Sequence, residues 1–534
     1  MGLFLASPSG AEREHLLEEV LATIGNPVDS WAIAATLESM GLRDVDAVER
    51  YGAQDLFDLA QDLYERARWR LAARPSVRER PPEVRSWRRL VRFLRFYLQG
   101  VLFALPMAGQ IAAVLALNYS LWAYLAFSEE QATVVAIGTI LSLIVTGGFT
   151  QAISRRGMFY VAQKHYGLAG QVSLRFIGLG NLLIAVVGLL VYGLNLLFSF
   201  YDQQVILVSL LYYVLLAELW LNSSVLYMLT QRAAILLSTL LGVGVVHLVM
   251  TRTDWGIYAA HALGLTLTNL VIVGYGYGLL SRRARRLSEE QKRARPPRLS
   301  ILLYTTAPYF AYGVLYFGYL YLDRVIGWSV SEGSFPYPFW FHTSYELGVD
   351  WALISLILTI ALLEYTINEF SAMIIPVQKL FSAFNLEDHN RYFKRFYGRQ
   401  LILLLVAACL SIVGTYKAVV ALRLFQEVPL IRDFFSSPIT FFTFWGAALG
   451  YNLLVVGLFN SVFFFSLSRP GPVLRAIVIA MAVNGTIGYG LSRGVAYPWS
   501  VVGLMAGSFT FALLTIRSAM RLLDRLDYYY YAAY

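Results

Sequence analysis

Arg282-Arg283-Ala284-Arg285-Arg286-Leu287-Ser288-Glu289-Glu290-Gln291-Lys292-Arg293-Ala294-Arg295-Pro296-Pro297-Arg298 separates two long apolar regions near the middle of the chain. Eight of these seventeen residues are basic, and such runs are held on the cytoplasmic side of a membrane. Working outward, six apolar runs precede the stretch, centred near Val114, Ile140, Val186, Leu215, Leu241 and Leu267. Six follow it, centred near Val314, Ile357, Val406, Val455, Ala480 and Met505. Each is long enough for the roughly 20 helical residues that cross about 30 Å of hydrocarbon. The chain is 57% hydrophobic. The expectation is an all-α polytopic membrane protein: about twelve transmembrane helices in two six-helix lobes, preceded by a soluble helical extension.

The other connections repeat the asymmetry. Arg155, Arg156 and Lys164 fill one, and Lys379, Arg391, Lys394, Arg395 and Arg399 another. On the opposite side, 128–131 and 201–204 contain no lysine or arginine, and only scattered residues such as Arg252, Arg324, Arg423, Arg432 and Arg493 appear later. This places both termini in the cytoplasm and the protein in the cytoplasmic membrane. The net charge of +9 then reads as orientation and contact with anionic lipid, and no nucleic-acid partner is expected. The expected boundaries are 1–87 for a cytoplasmic extension and linker, 88–281 and 300–520 for the lobes, 282–299 for the basic connection, and 521–534 for a cytoplasmic tail.

The first residues lack the basic and apolar pattern of a cleavable leader. Helical patterns at 11–24, 30–40 and 55–71, separated by Gly25-Asn26-Pro27 and other breaks, predict a small helical bundle. Glu12, Glu14, Glu18, Glu19, Asp44, Asp46, Glu49, Asp55, Asp58 and Asp62 make it too acidic for a helix-turn-helix DNA reader, which favours docking or regulation. Arg74 to Arg95, with Pro81-Pro82, reads as a linker becoming a basic helix at the inner membrane surface.

Ionisable groups at membrane depth cost kilocalories each and face a cavity or a partner. The candidates are Glu218 in the fourth span, Asp350, Glu364 and Glu369 in the eighth, and Lys417 in the ninth. On an unbroken helix Asp350 and Glu364 lie within about 40° of one face, which Asn368 shares with Glu364. That stripe is either a cavity wall or part of a structural ion pair, for instance Glu364 with Lys417. Asp323, Arg324 and Trp328 close the seventh span and read as anchors at the outer interface. Pro106 and Pro308 occupy matching positions in the first and seventh spans, which suggests a parallel repeat with flexing gates. His247 and His261 have no companions at metal-ligand spacing and read as packed, hydrogen-bonded histidines. The one cysteine, Cys409, excludes intramolecular disulfides.

No GxxxxGK[ST] or HExxH motif is present, and neither a metal nor a cofactor is expected. Gly490-Leu491-Ser492-Arg493-Gly494 matches GxSxG, but it ends a spanning helix instead of forming a strand-to-helix elbow. Glu129 and Glu130 sit in a loop too short to shape a glycosyltransferase site, so the expectation is not an enzyme.

Several stretches resemble the PelG family of Pel exopolysaccharide transporters, within the multidrug/oligosaccharidyl-lipid/polysaccharide flippase superfamily. They are Thr146-Gly147-Gly148-Phe149-Thr150-Gln151-Ala152-Ile153-Ser154-Arg155-Arg156, Ala307-Pro308-Tyr309-Phe310, Tyr316-Phe317-Gly318, Asp323-Arg324-Val325-Ile326-Gly327-Trp328 and Tyr392-Phe393-Lys394-Arg395-Phe396-Tyr397. The resemblance implies two six-helix lobes around a central cavity, exporting an exopolysaccharide or lipid-linked sugar beside a cytoplasmic glycosyltransferase and other export subunits. A cation-coupled antiporter of the same fold, or a membrane scaffold of a polysaccharide synthase, remains as an alternative.

Overall fold

The computed structural model describes residues 8–24, 27, 29–73, 86–286, 295–330, 337–380, 386–422, 432 and 436–526. The middle of the basic connection, the Pro81-Pro82 linker, Lys379 as a side chain, Arg423 and the Tyr528 to Tyr531 tail lie outside the residues described. The described residues are almost wholly helical, with one isolated bridge between Tyr119 and Tyr124.

The extension folds as α1 (Pro8–Ile24), α2 (Ser30–Ser39), α3 (Asp44–Tyr51) and α4 (Leu56–Ala73). Asp29 caps α2 by accepting from the Ala32 N–H at 2.8 Å, the task for which Asp is favoured at that position. Gly52, at φ 63°, ends α3 in the left-handed region that glycine adopts without strain. Leu16, Leu17, Val20, Ile33, Leu37, Leu59 and Leu63 form the core of this bundle. Arg13 ties it together, donating to the Tyr51 carbonyl at 2.9 Å and to Asp62 at 2.8 Å. The sequence patterns anticipate three of these helices. They miss α3, whose eight residues bury only Ala47 and Tyr51.

The long helices are α5 (Ser86–Leu117), α6 (Glu129–Ala162), α7 (Tyr166–Phe198), α8 (Gln203–Met228), α9 (Arg232–Arg252), α10 (Gly256–Arg285), α11 (Leu299–Trp328), α12 (Thr343–Ile354), α13 (Leu356–Leu380), α14 (Leu386–Ala421), α15 (Pro438–Ser466), α16 (Gly471–Gly494) and α17 (Ser500–Leu523). Among the described residues, eleven helical stretches, one of them formed by α12 with the start of α13, are long and apolar enough to cross a membrane. The chain is a multi-pass membrane protein. The twelfth expected span, α11, has 30 residues but is less apolar than these eleven. Six tyrosines and the Asp323-Arg324 pair lower its hydropathy. The first span reaches back to Leu90, so its centre lies before Val114. The arginines near its start belong to the helix and are not a flank.

Two compact units emerge. One gathers Met1–Leu94, Thr366–Gln400 and Met520–Tyr534; the other holds Arg95–Tyr365 and Leu401–Ala519. The division crosses α13 and α14. Helices of 25 to 36 residues exceed the roughly 20 needed to span, and their ends pack among themselves. In the first unit Lys394 Nζ lies 2.5 Å from Asp524 Oδ1, and Arg92 lies 4.0 Å from Glu369.

Candidate functional site

Within the second unit, α6 and α11 cross where neither helix carries a side chain. A Cβ on Gly313 would lie 2.2 Å from the Gly147 carbonyl oxygen, and one on Gly147 would lie 2.4 Å from the Phe317 ring. Only glycine permits that approach. Next to it Phe149 meets Phe310 edge-on, with ring centroids 4.9 Å apart. The crossing joins the first six-helix half to the second.

A second junction lies toward the helix ends that adjoin the basic connections, here termed the basic side. Arg232 begins α9, donates from Nη1 to the Gln99 carbonyl of α5 at 2.7 Å, and from Nη2 to the Glu364 carboxylate of α13. Beneath it a Cβ on Gly100 would meet the Ala361 Cα at 2.6 Å. One guanidinium therefore links three helices from both halves. Glu364 was expected to line a cavity or to pair with Lys417. It pairs with Arg232, while Lys417 is exposed near the far end of α14, away from Glu364. Arg232 was not anticipated, because a lone arginine at a helix start carries no sequence signal of a partner 132 residues away.

On the opposite side, the segment before α12 reaches the first half. Tyr337 Oη lies 3.1 Å from Glu130 and 3.0 Å from Asp202; Trp340 Nε1 donates to Glu129 at 3.0 Å, and Phe341 N–H to Thr133 at 3.0 Å. A phenol has one hydrogen to donate, so Tyr337 serves the two carboxylates in turn. Burial first, then the two carboxylates, push its pKa upward.

The fourth cluster is buried in the second half. Arg324 donates to Glu346 at 2.7 Å, to Tyr451 at 3.2 Å and to Asp350 at 3.4 Å. Trp328 Nε1 donates to the other Glu346 oxygen at 2.9 Å, and Tyr345 Oη to Asp323 at 2.6 Å. Asp323, Arg324 and Trp328, expected as anchors at the outer interface, are buried with Glu346. Asp350, expected in the cavity wall, has a side chain 63% exposed. Glu346 escaped the sequence reading, although it lies one helical turn before Asp350. In the same half both amide atoms of Asn484 are buried without a hydrogen-bond partner.

The remaining candidates are dispersed. Glu218 is half-buried and accepts from Asn222 of its own helix at 2.9 Å. Asn368 is half-buried and Glu369 buried in the first unit. Pro106 and Pro308 lie inside α5 and α11. Both histidines are hydrogen-bonded, His247 to Tyr119 at 2.8 Å and His261 to Tyr212 at 2.6 Å. Along the eighth span α12 ends at Ile354 and α13 begins at Leu356, and Ser355 between them keeps helical dihedrals. The Ser355 carbonyl accepts from Ser411 and its hydroxyl oxygen from Asn452 at 2.9 Å.

No family model matches the chain, and no curated protein does. Solved structures do. A MATE transporter in complex with MaL6 superposes with a TM-score of 0.56 at 12% identity, covering 82% of this chain and 97% of that one. The Vibrio cholerae MATE transporter VcmN in its bent form gives 0.53 at 12%, covering 82% and 98%. A MOP superfamily transporter from Pyrococcus furiosus gives 0.51 at 13%, covering 81% and 96%. At such identities the likeness establishes the fold, and the fold is that of MATE and MOP transporters.

Proposed function

We infer that this protein is a membrane transporter working by alternating access, and that it exports a polysaccharide or glycolipid across the cytoplasmic membrane. The observation that carries the reading is the pair of junctions on either side of the glycine crossing. Arg232–Glu364 joins the halves on the basic side, and Tyr337 and Trp340 join them through Glu129, Glu130 and Asp202 on the other. Alternating access requires such contacts to be broken on one side at a time. The Pel-like segments support the sugar cargo and a glycosyltransferase partner on the cytoplasmic face. Deleting the gene in a host that makes a surface polysaccharide is expected to abolish that polymer, and plasmid-borne wild type to restore it. Unchanged polymer after deletion refutes the cargo.

A cation-coupled antiporter is the second reading, supported by the buried Asp323 carboxylate and the unpartnered amide of Asn484 in the same half. It predicts sodium- or proton-driven efflux from proteoliposomes that Asp323→Asn abolishes. An exporter driven by polymer synthesis tolerates that substitution.

A further inference from the structure

The extension carries an aromatic pair for which the membrane domain gives no use. Trp31 and Phe57 occupy the first turns of α2 and α4, and their rings meet edge to face with centroids 4.9 Å apart. Both remain open to solvent, at 68% and 47% exposure. An exposed tryptophan resting on an exposed phenylalanine is costly to leave in water and is the kind of pair that anchors an interface.

The flanking residues define what fits. Asp29 caps α2 two positions before Trp31. Asp55 and Asp58 bracket Phe57 and cap α4, Asp55 accepting from the Asp58 N–H at 2.7 Å and Asp58 from the Gln54 N–H at 2.9 Å. All three are exposed, so an apolar pair is ringed by three carboxylates fixed by their own helix starts. The surrounding bundle has the same sign: residues 8–73 hold thirteen acidic side chains against six arginines and no lysine. Anionic lipid is repelled by this face, and so is the same face of a second copy. A cationic side chain, by contrast, gains both the carboxylates and the tryptophan ring.

We propose that the Trp31–Phe57 face of the extension is a docking site for a basic amphipathic segment of a cytoplasmic protein partner, with one apolar anchor on the aromatic pair and Lys or Arg beside Asp29, Asp55 and Asp58. The proposal is independent of what the membrane domain carries.

The test uses the full chain in phosphatidylcholine nanodiscs and a fluorescein-labelled 18-residue helical peptide with one Leu face and one Lys/Arg face. A twin with Glu replacing every Lys and Arg is the control, and binding is read by anisotropy. The basic peptide is expected to bind, and to weaken at 0.5 M salt, where screening shortens the reach of the carboxylates to a few ångströms. The double substitution Trp31→Ser, Phe57→Ser is expected to weaken it about tenfold or more. Trp69→Ser, at another exposed tryptophan, is expected to leave it unchanged. Both aromatic positions are exposed, so the bundle core is untouched by these changes. Four results overturn the proposal. They are no binding by the wild type, equal binding of the acidic twin, an unaltered affinity in the double variant, and a signal that empty nanodiscs reproduce. A wild-type mass of two copies that the double variant halves assigns the face to self-association and overturns it as well.

Discussion

Replacing Glu364 with Gln removes one charge from the bridge that Arg232 makes between the halves and leaves the side-chain volume nearly unchanged. The two side chains are 19% and 23% exposed, so the pair is neither free in water nor fully buried. At an effective dielectric near 20, two charges about 4 Å apart attract by roughly 4 kcal/mol. Desolvation of both groups takes back more than half of that. A net loss of about 1–2 kcal/mol follows, which is a factor of roughly 5–30 in a two-state equilibrium. Arg232 keeps its bond to the Gln99 carbonyl, so the helix start itself stays fixed. The change therefore moves the population toward the conformation open on the basic side. Ala361, fully buried against Gly100, reports it. With the exposed Cys409 replaced by Ser, Ala361→Cys is labelled with a polar maleimide in the presence and absence of Glu364→Gln. The labelling rate is expected to rise about 5- to 30-fold, and the swap of Arg232→Glu with Glu364→Arg to bring it partly back. An unchanged rate in a folded Glu364→Gln protein refutes the claim that this bridge holds the basic side shut.

Gly313→Leu places side-chain atoms in the Gly147 backbone and is expected to lower the melting temperature sharply, by a loss of about 3 kcal/mol or more; Gly244→Ala, with open space around its Cβ, is expected to leave it unmoved. Arg324→Met strands Glu346 as an unpaired buried charge and is expected to cost about 3–5 kcal/mol by thermal or denaturant unfolding, with Glu346→Gln recovering part of it in the double variant. In the extension, the Arg43 N–H donates to Asp46 at 2.9 Å and holds that carboxyl below its usual pKa. Because the folded value is the lower one, the associated stability is present above the usual carboxylate range and is lost as pH falls through the depressed value. Hydrogen-exchange protection factors in the extension, corrected for the intrinsic pH dependence of exchange, are expected to fall over that acid window, and Asp46→Asn to flatten the dependence.

The helical architecture was legible because spanning has a length requirement that local composition meets or fails. The run centred near Val314 has the length, but the six tyrosines of α11 keep it out of the eleven apolar stretches. The extension was legible in its breaks, apart from α3. The pairings were not legible. Arg324 finds Asp350 across 26 residues and Arg232 finds Glu364 across 132, and nothing local encodes either distance. The stripe from Asp350 to Glu364 assumed an unbroken helix. Ser355 keeps helical dihedrals, and its hydrogen bonds from Ser411 and Asn452 exist only once the helices are packed. Gly147 and Gly313 were visible as residues but not as a crossing, because a close approach belongs to two segments at once.

The crossing formed by α12 and α13 stays helical through Ser355 and is moored at both ends. Glu346 and Asp350 tie its upper part to its own half through Arg324, and Glu364 ties its lower part to the other half through Arg232. One rod thus couples the two moorings: a swing that opens the Arg232–Glu364 bridge is carried to the buried Arg324–Glu346 pair.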